Sequence, residues 1–555
     1  MKKVDVSELI DILRKFDGRK YSLYGKLRNV HVVFDGGTYR LTKVQGDPHA
    51  QPSIVEVILP YPRHGFPKKF ISGKNTIPFT DYITRKLYQI CIRNSRKCGS
   101  GNSCYIGIPK PSPRILPRSS VEVNEKLDII LRFYVGLPAK GRRILGREAI
   151  NVLCKKVPAI AKSVISLREN IEAIEDHVRN FLDQEFLREW IEKRNYMFFI
   201  GNGSVLPRES SISEKPMKNS MPFKSPETLE VEVQLPSGKR VRGLAIKRGI
   251  LVITGGGYHG KTTLLKAVQE GIYDHIIGDG REYVVSRKNT IYVKSEDGRI
   301  INNVDISSFI SNLPSAEDTS NFSSLNASGS TSMAASIIEA LEIGADVILF
   351  DEDTSATNLL YKDSLMAEIV KKEPIRPLIN QLRDIVRKTN VGFVGVVSAS
   401  SAPLAIADNV ILMENYVPKD ITENVRESLK GIVKELSFKG VRQRVFAGIR
   451  GFKKAKAKDY KIIVHYSDNL KFEIDLRNNP RIVEKGQVKT IAHLINLIAK
   501  ENIHGKVADI VHYVHEALSK GFSKIAKPTP PDLTFVNGYD VVWVLNRLYR
   551  ARFRY

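Results

Sequence analysis

A run of β-branched residues ending at Thr254 is followed at once by Gly255-Gly-Gly-Tyr-His-Gly-Lys-Thr262, and then by the helix-forming stretch Thr263-Leu-Leu-Lys-Ala-Val-Gln. This fits the spacing G-x-x-x-x-G-K-[ST], whose context is a strand, a phosphate-binding loop and a helix on a mostly parallel sheet. Gly255, Gly256, Gly257 and Gly260 free the backbone N–H groups to close around phosphate oxygens, with Tyr258 and His259 carried in the same loop. The helix beginning near Lys261 adds the positive end of its dipole. Lys261 is then placed to reach the β and γ phosphates of ATP, Thr262 to offer its hydroxyl to Mg²⁺, and Thr263 to close the first turn. A chance glycine-rich turn would lack the strand and the helix on its two sides.

Further apolar runs, Asp346-Val-Ile-Leu-Phe and Val391-Gly-Phe-Val-Gly-Val-Val, read as buried parallel strands between helices. The first ends in Asp351-Glu352. Asp351 is the expected Mg²⁺ ligand, through water, and Glu352 the residue that orients or deprotonates the attacking water. Paired acids at a strand end can equally be a solvated turn; the loop upstream favours the catalytic reading. Between loop and acids, Asn326-Ala-Ser328-Gly329-Ser330-Thr331 precedes an Ala-rich helix. Ser328, Gly329 and Ser330 form either a second phosphate-binding cap or a plain serine N-cap. The fold class expected is α/β, a P-loop NTPase core.

The chain has 555 residues, 42 % hydrophobic and 26 % charged, which is ordinary globular composition and enough for several domains. The expected division is an α+β N-terminal domain at 1–206, a linker or long loop at 207–226, the nucleotide-binding core at 227–425 and a basic α+β C-terminal domain at 426–555. No window approaches the roughly 18 apolar residues of a membrane span. The N-terminus reads as an amphipathic helix, because Asp5 and Glu8 interrupt any apolar leader. Four cysteines are too few for a disulfide framework, so a reducing, cytoplasmic setting is expected, with Cys98 and Cys104 as ordinary thiols and no zinc site.

The formal charge is +26, and residues 1–240, 241–420 and 421–555 carry +17, −4 and +13. Two basic flanks around a slightly acidic middle are the footprint expected for a polyanion partner. Candidate contacts are Arg142, Arg143 and Arg147; then Arg442, Arg444, Arg450, Lys453, Lys454, Lys456 and Lys458, interleaved with Phe446 and Phe452; then Arg547, Arg550, Arg552 and Arg554, with Tyr549, Phe553 and Tyr555, near the C-terminus. Each set could also be a solvated surface.

The order of phosphate loop, serine-glycine cap, Asp-Glu pair and Asp353-Thr-Ser355-Ala356-Thr-Asn358 resembles that of the ABC class of ATPases, in particular its stand-alone members without membrane domains. The likeness extends to Gln45-Gly-Asp-Pro, Gly136-Leu-Pro-Ala-Lys-Gly-Arg-Arg, Gly278-Asp-Gly-Arg-Glu and Glu414-Asn-Tyr-Val-Pro. The resemblance implies Mg²⁺-dependent ATP hydrolysis, with Ser328-Gly329-Ser330 as the signature motif of one protomer capping the ATP of another. One loop and one signature per chain imply a homodimer. It also leans towards RNA rather than transport. Val397-Ser398-Ala399-Ser400 stands where a switch histidine is expected, and Phe223 is the nearest aromatic for stacking an adenine. The reading is an ATP-driven clamp on nucleic acid, with an ATP-driven switch on protein partners as the alternative.

Overall fold

The apolar runs of the central region become neighbouring strands. The computed structural model describes residues 3–362, 369–370, 372–429 and 433–555. Ile250–Thr254 (β1), Thr290–Tyr292 (β2), Val347–Asp351 (β3), Gly392–Val396 (β4), Asn409–Glu414 (β5) and Val417–Asp420 (β6) form one sheet in the order β2-β3-β4-β1-β5-β6. The first five are parallel, and β6 returns antiparallel along β5. Every residue of β3 and β4 is buried, as a parallel strand covered on both faces requires.

Two helices cover the sheet and bring the chemistry with them. Lys261–Glu270 (α1) follows β1, and Gly329–Glu342 (α2) leads into β3. Leu264, Leu265 and Val268 of α1 share a core with Leu251 and Ile253 of β1 and Leu349 of β3. Ala334, Ile337 and Ile338 of α2 share another with Ile250, Val252, Ile348 and Phe350. Successive residues of β1 and β3 thus alternate between the two cores, the period-two pattern of a strand. Because β1 lies between β4 and β5, a crevice opens at the carboxyl ends of the strands there. Ile253 pairs with Val396, and Val396 with Asp351, so β1, β4 and β3 end level with one another.

The chain divides into two compact units, Met1–Phe181 with Glu484–His493 and Glu516–Phe535, and Leu182–Val483 with Leu494–His515 and Val536–Tyr555. This division departs from the one read along the sequence, for two reasons. Leu187 and Ile191, in the helix Ile171–Lys193, share a core with Phe199, Val233 and Val285, so they belong with the nucleotide-binding unit. In the other unit, Arg118 pairs with Glu484 and bridges to Thr534, which draws late segments of the chain into the N-terminal body. Residues 207–226 form an ordered loop in which Arg208 pairs with Asp279 at 2.7 Å and Phe223 is buried.

The first unit is built on a seven-stranded sheet that includes Gly37–Lys43, Ser53–Leu59 and Ile129–Val135. Its N-terminal helix, Val6–Phe16, is capped by Asp5 and buries Leu9, Leu13 and Phe16. Cys98 and Cys104, expected as ordinary thiols, are joined in a disulfide: the turn between them, with Gly101 and Cys104 at positive φ, brings their Cα atoms to 5.7 Å. Cys91 and Cys154 are buried free thiols.

The second unit also carries an antiparallel sheet of Phe452–Lys458 (β7), Lys461–Tyr466 (β8) and Lys471–Asp475 (β9). Gly538–Asn546 (α3) is closed by a capping box at Asn537 and Asp540. No helix among the described residues is long and apolar enough to cross a membrane.

Candidate nucleotide site

The loop between β1 and α1 is shaped by glycine at both ends. Gly255 has φ +135°, and a Cβ there would meet the Met413 carbonyl oxygen at 2.3 Å, so neither the backbone nor the space admits another residue. Gly260 takes φ +93° as the N-cap of α1. Tyr258 lies fully exposed at φ +64°, and His259 Nδ1 accepts the N–H of Asn415 at 2.9 Å, tying the loop to the β5–β6 turn. Gly256 and Gly257 complete the loop, and Thr263 continues the first turn of α1.

The side chains that carry charge converge on this loop. Lys261 Nζ donates to the carbonyl oxygens of Gly255 at 2.7 Å and Gly256 at 2.6 Å, so its ammonium is folded over the loop. Thr262 Oγ1 donates to Asp351 Oδ2 at 2.8 Å. A threonine hydroxyl beside a buried carboxylate is a hard-oxygen donor pair, which suits Mg²⁺ and not a soft metal. Glu352, one residue on, accepts the N–H groups of Ser398 at 2.6 Å and Ala399 at 3.1 Å through Oε2, and the Tyr361 hydroxyl through Oε1. Burial and the Glu352 carboxylate push the Tyr361 hydroxyl up to about 12, so it stays a donor at neutral pH.

The serine-glycine cap stands at the start of α2. Ser328 is its N-cap and accepts from the Thr331 N–H, and Ser330 Oγ donates to Asn358 Oδ1 at 2.8 Å. The cap is thereby bonded to the segment that follows the Asp-Glu pair. A Cβ on Gly329 would lie 2.5 Å from Ser295 Oγ, so a larger residue there would have to displace that side chain.

Residues 170–444 match the P-loop domain of the ABC-class ATPases, and residues 6–168 match the N-terminal domain of ATPases of the ABC class. The chain belongs to the ABC-class ATPases. Residues 454–554 of this ATPase also match the MRB1590 C-terminal domain. An uncharacterized protein of Methanocaldococcus jannaschii is 33 % identical over 302 residues, which are 52 % of this chain and 65 % of that protein's length. A solved structure assigned to an inward-facing ABC transporter of the metal-chelate type overlaps 41 % of this chain and 85 % of its own at 17 % identity, with a TM-score of 0.25 that carries no argument.

The basic residues sort by exposure. Arg142, Arg143, Arg147, Arg442, Arg450, Lys453 and Lys454 reach solvent. Arg142 pairs with Asp47, Arg143 donates to the Gly18 carbonyl, and Arg442 stacks on the Tyr555 ring at 3.8 Å. Arg444 is a correction: it is fully buried, and it binds Glu342 of α2, the Asn302 carbonyl at 2.8 Å and Asn546 at 3.0 Å. Arg547 is likewise buried, paired with Glu296 and stacked on Trp543. Glu342 of α2 faces the interior and takes Arg444 as its cationic partner, while Arg547 lies between Glu296 and, at 3.8 Å, Glu339 of α2. Phe223 is buried in the core beside α1 and is not available to stack a base.

Two features escaped the sequence. Tyr361 carried no motif, and its place beside Glu352 comes from the turn of the chain after Thr357–Leu360. Ser398 and Ala399 hold Glu352 by their backbone N–H groups, to which the side-chain pattern gave no signal.

Proposed function

We propose that this ATPase binds and hydrolyses ATP at the interface of two copies of the chain and uses the cycle as a clamp on single-stranded nucleic acid, RNA in the first place. The observation that supports hydrolysis is the pairing of Thr262 with Asp351, with Lys261 folded over the same loop. In this reading Lys261 exchanges its two carbonyl partners for β- and γ-phosphate oxygens, and the N–H groups of the loop and of the first turn of α1 bind the rest. Thr262 and Asp351 would hold Mg²⁺, which when bound neutralises charge on the phosphates. Glu352, fixed by Ser398, Ala399 and Tyr361, takes the proton of the attacking water.

Each chain has one phosphate loop and one serine-glycine cap, so two complete sites need a second copy whose Ser328, Gly329 and Ser330 close on the first copy's ATP. Loss of the γ phosphate then opens the pair. The nucleic-acid part is supported by exposed cations in both units and by β7, where Lys454, Lys456 and Lys458 point to solvent. Across the sheet Lys454 faces His465 and His465 faces Lys471. Desolvation and then Lys454 and Lys471 hold His465 below the usual histidine range, as expected within a positive field.

The test is ATP turnover by wild type and Glu352→Gln, with and without single-stranded RNA over a salt series, while light scattering follows mass. RNA-stimulated turnover, an ATP-trapped dimer in the variant and binding that weakens steeply with salt are expected. Turnover and mass indifferent to RNA would replace the clamp by a switch acting on proteins.

A further inference from the structure

Beside the basic sheet lies an open cavity of about 440 Å³. Its apolar lining includes Phe446, Ile449, Phe452, Ile498 and Ile503, of which the almost fully buried Phe446 and Ile498 form the floor, and Asn496 and Asn502 line it as well. Its rim is basic: Lys453, Lys500 and Arg552 line it together with His504, and no Asp or Glu is among the lining residues. Lys453, Lys500 and His504 are exposed. Two of the rim side chains come together over Gly448: a Cβ there would lie 3.3 Å from His504 Nε2 and 3.7 Å from Arg552 Nη2, and it is the backbone, at φ +91°, that favours glycine. Arg552 is held there by a 2.8 Å hydrogen bond to the Ala447 carbonyl.

An apolar floor beneath a basic rim suits a flat, mostly apolar ring attached to an anion, and the volume lies within the range of about 300–1,000 Å³ that small-molecule sites occupy. A nucleotide unit has that chemistry, with its base on the floor and its phosphate among the rim cations. Continuity with Lys453 and Lys454 at the start of β7 gives a following phosphate its own contacts.

We infer that this cavity receives one nucleotide of a single-stranded polynucleotide, the base against Phe452 and Ile503 above that floor and the phosphate at His504, Arg552, Lys453 and Lys500. The inference rests on the nucleic-acid reading above and gives that partner a seat. A duplex does not fit it, because a paired base cannot leave its stack to reach the floor.

The experiment measures binding of a short uridine oligomer, of the same sequence as a duplex and of uridine monophosphate, at several salt concentrations. The proteins are wild type, the surface double variant Lys453→Ala with Lys500→Ala, and Phe452→Leu, each first shown by circular dichroism and thermal melting to be folded. Single-strand binding is expected to exceed both other ligands. The double variant should lower the slope of log affinity against log salt by up to about 0.7, since both lysines serve one phosphate and each single-strand phosphate contact carries about 0.7. Phe452→Leu should weaken the oligomer about fivefold or more by removing a stacking face. In wild type, photocrosslinks from a thiouridine oligomer should fall on Phe452 or His504. Undiminished binding in both variants with crosslinks elsewhere overturns the cavity and leaves the clamp standing, as does equal affinity for the monophosphate or the duplex. If wild type shows no salt-dependent polynucleotide binding, the clamp reading itself falls, and the cavity with it.

Discussion

Glu352 Oε2 accepts the backbone N–H of Ser398 at 2.6 Å, so the segment at the end of β4 fixes the carboxylate at the end of β3. That segment carries serines where a histidine was expected, and it contributes through its main chain instead of a side chain. Replacing Ser398 by alanine keeps the N–H and should leave ATP turnover within about twofold, since an exposed hydroxyl alone contributes little. Steady-state ATPase rates check this.

Glu352→Gln keeps the hydrogen-bond acceptor but removes the base. Turnover should fall by about 10²- to 10⁴-fold, with ATP binding retained. Paired measurement of kcat and nucleotide affinity separates the two effects, and a parallel loss of binding would remove Glu352 from the role of base.

Tyr361→Phe deletes one of the three donors to Glu352. The expected result is a fall of about tenfold in kcat with KM for ATP unchanged, because a hydrogen bond to a charged group is lost without touching the phosphate loop. Because the hydroxyl sits at about 12, above its ordinary value, its protonated form is the one the fold favours. Its contribution is therefore full below pH 10 and is lost only as the pH rises through the folded value. A pH–rate profile of wild type should accordingly show no loss attributable to Tyr361 between pH 7 and 10.

Arg444 and Arg450 were equal candidates in sequence and separate in stability. Arg444→Ala leaves Glu342 buried without its partner and should cost about 3–5 kcal/mol. Arg450→Ala, at the surface, should change stability by no more than about 0.5 kcal/mol. Urea unfolding of the two variants decides between them.

Glu484 provides an acid-sensitive joint in the first unit. Burial alone would raise its pKa, but Arg118 and the Ser112 hydrogen bond overcome this and bring it from 4.5 down to about 2. A depressed carboxylate stabilises the fold above its unfolded value and loses that effect as the pH falls towards the folded one. The shift corresponds to about 3 kcal/mol, lost between about pH 4.5 and 2. Glu484→Gln should be less stable at neutral pH and flatter across that window in urea midpoints.

Local spacing was enough to place the phosphate loop, the Asp351–Glu352 pair and the serine cap on their elements, because glycine, lysine and carboxylate at those offsets are bound to one strand-turn-helix or one strand end. The periodicity of Ile250–Thr254 and Val347–Asp351 likewise set the class of sheet, since a strand apolar at every position must be buried on both faces. What required the tertiary structure was every relation between segments far apart in the chain. Arg444 looks in sequence like its exposed neighbours and becomes an interior ion only because Glu342 lies opposite it, 102 residues away. Ser398 meets Glu352 because β3 and β4 are adjacent and end level. Glu484 and Thr534 join the N-terminal unit through Arg118. Burial and pairing depend on which surfaces meet, and a composition or a local pattern carries no information about the opposite surface.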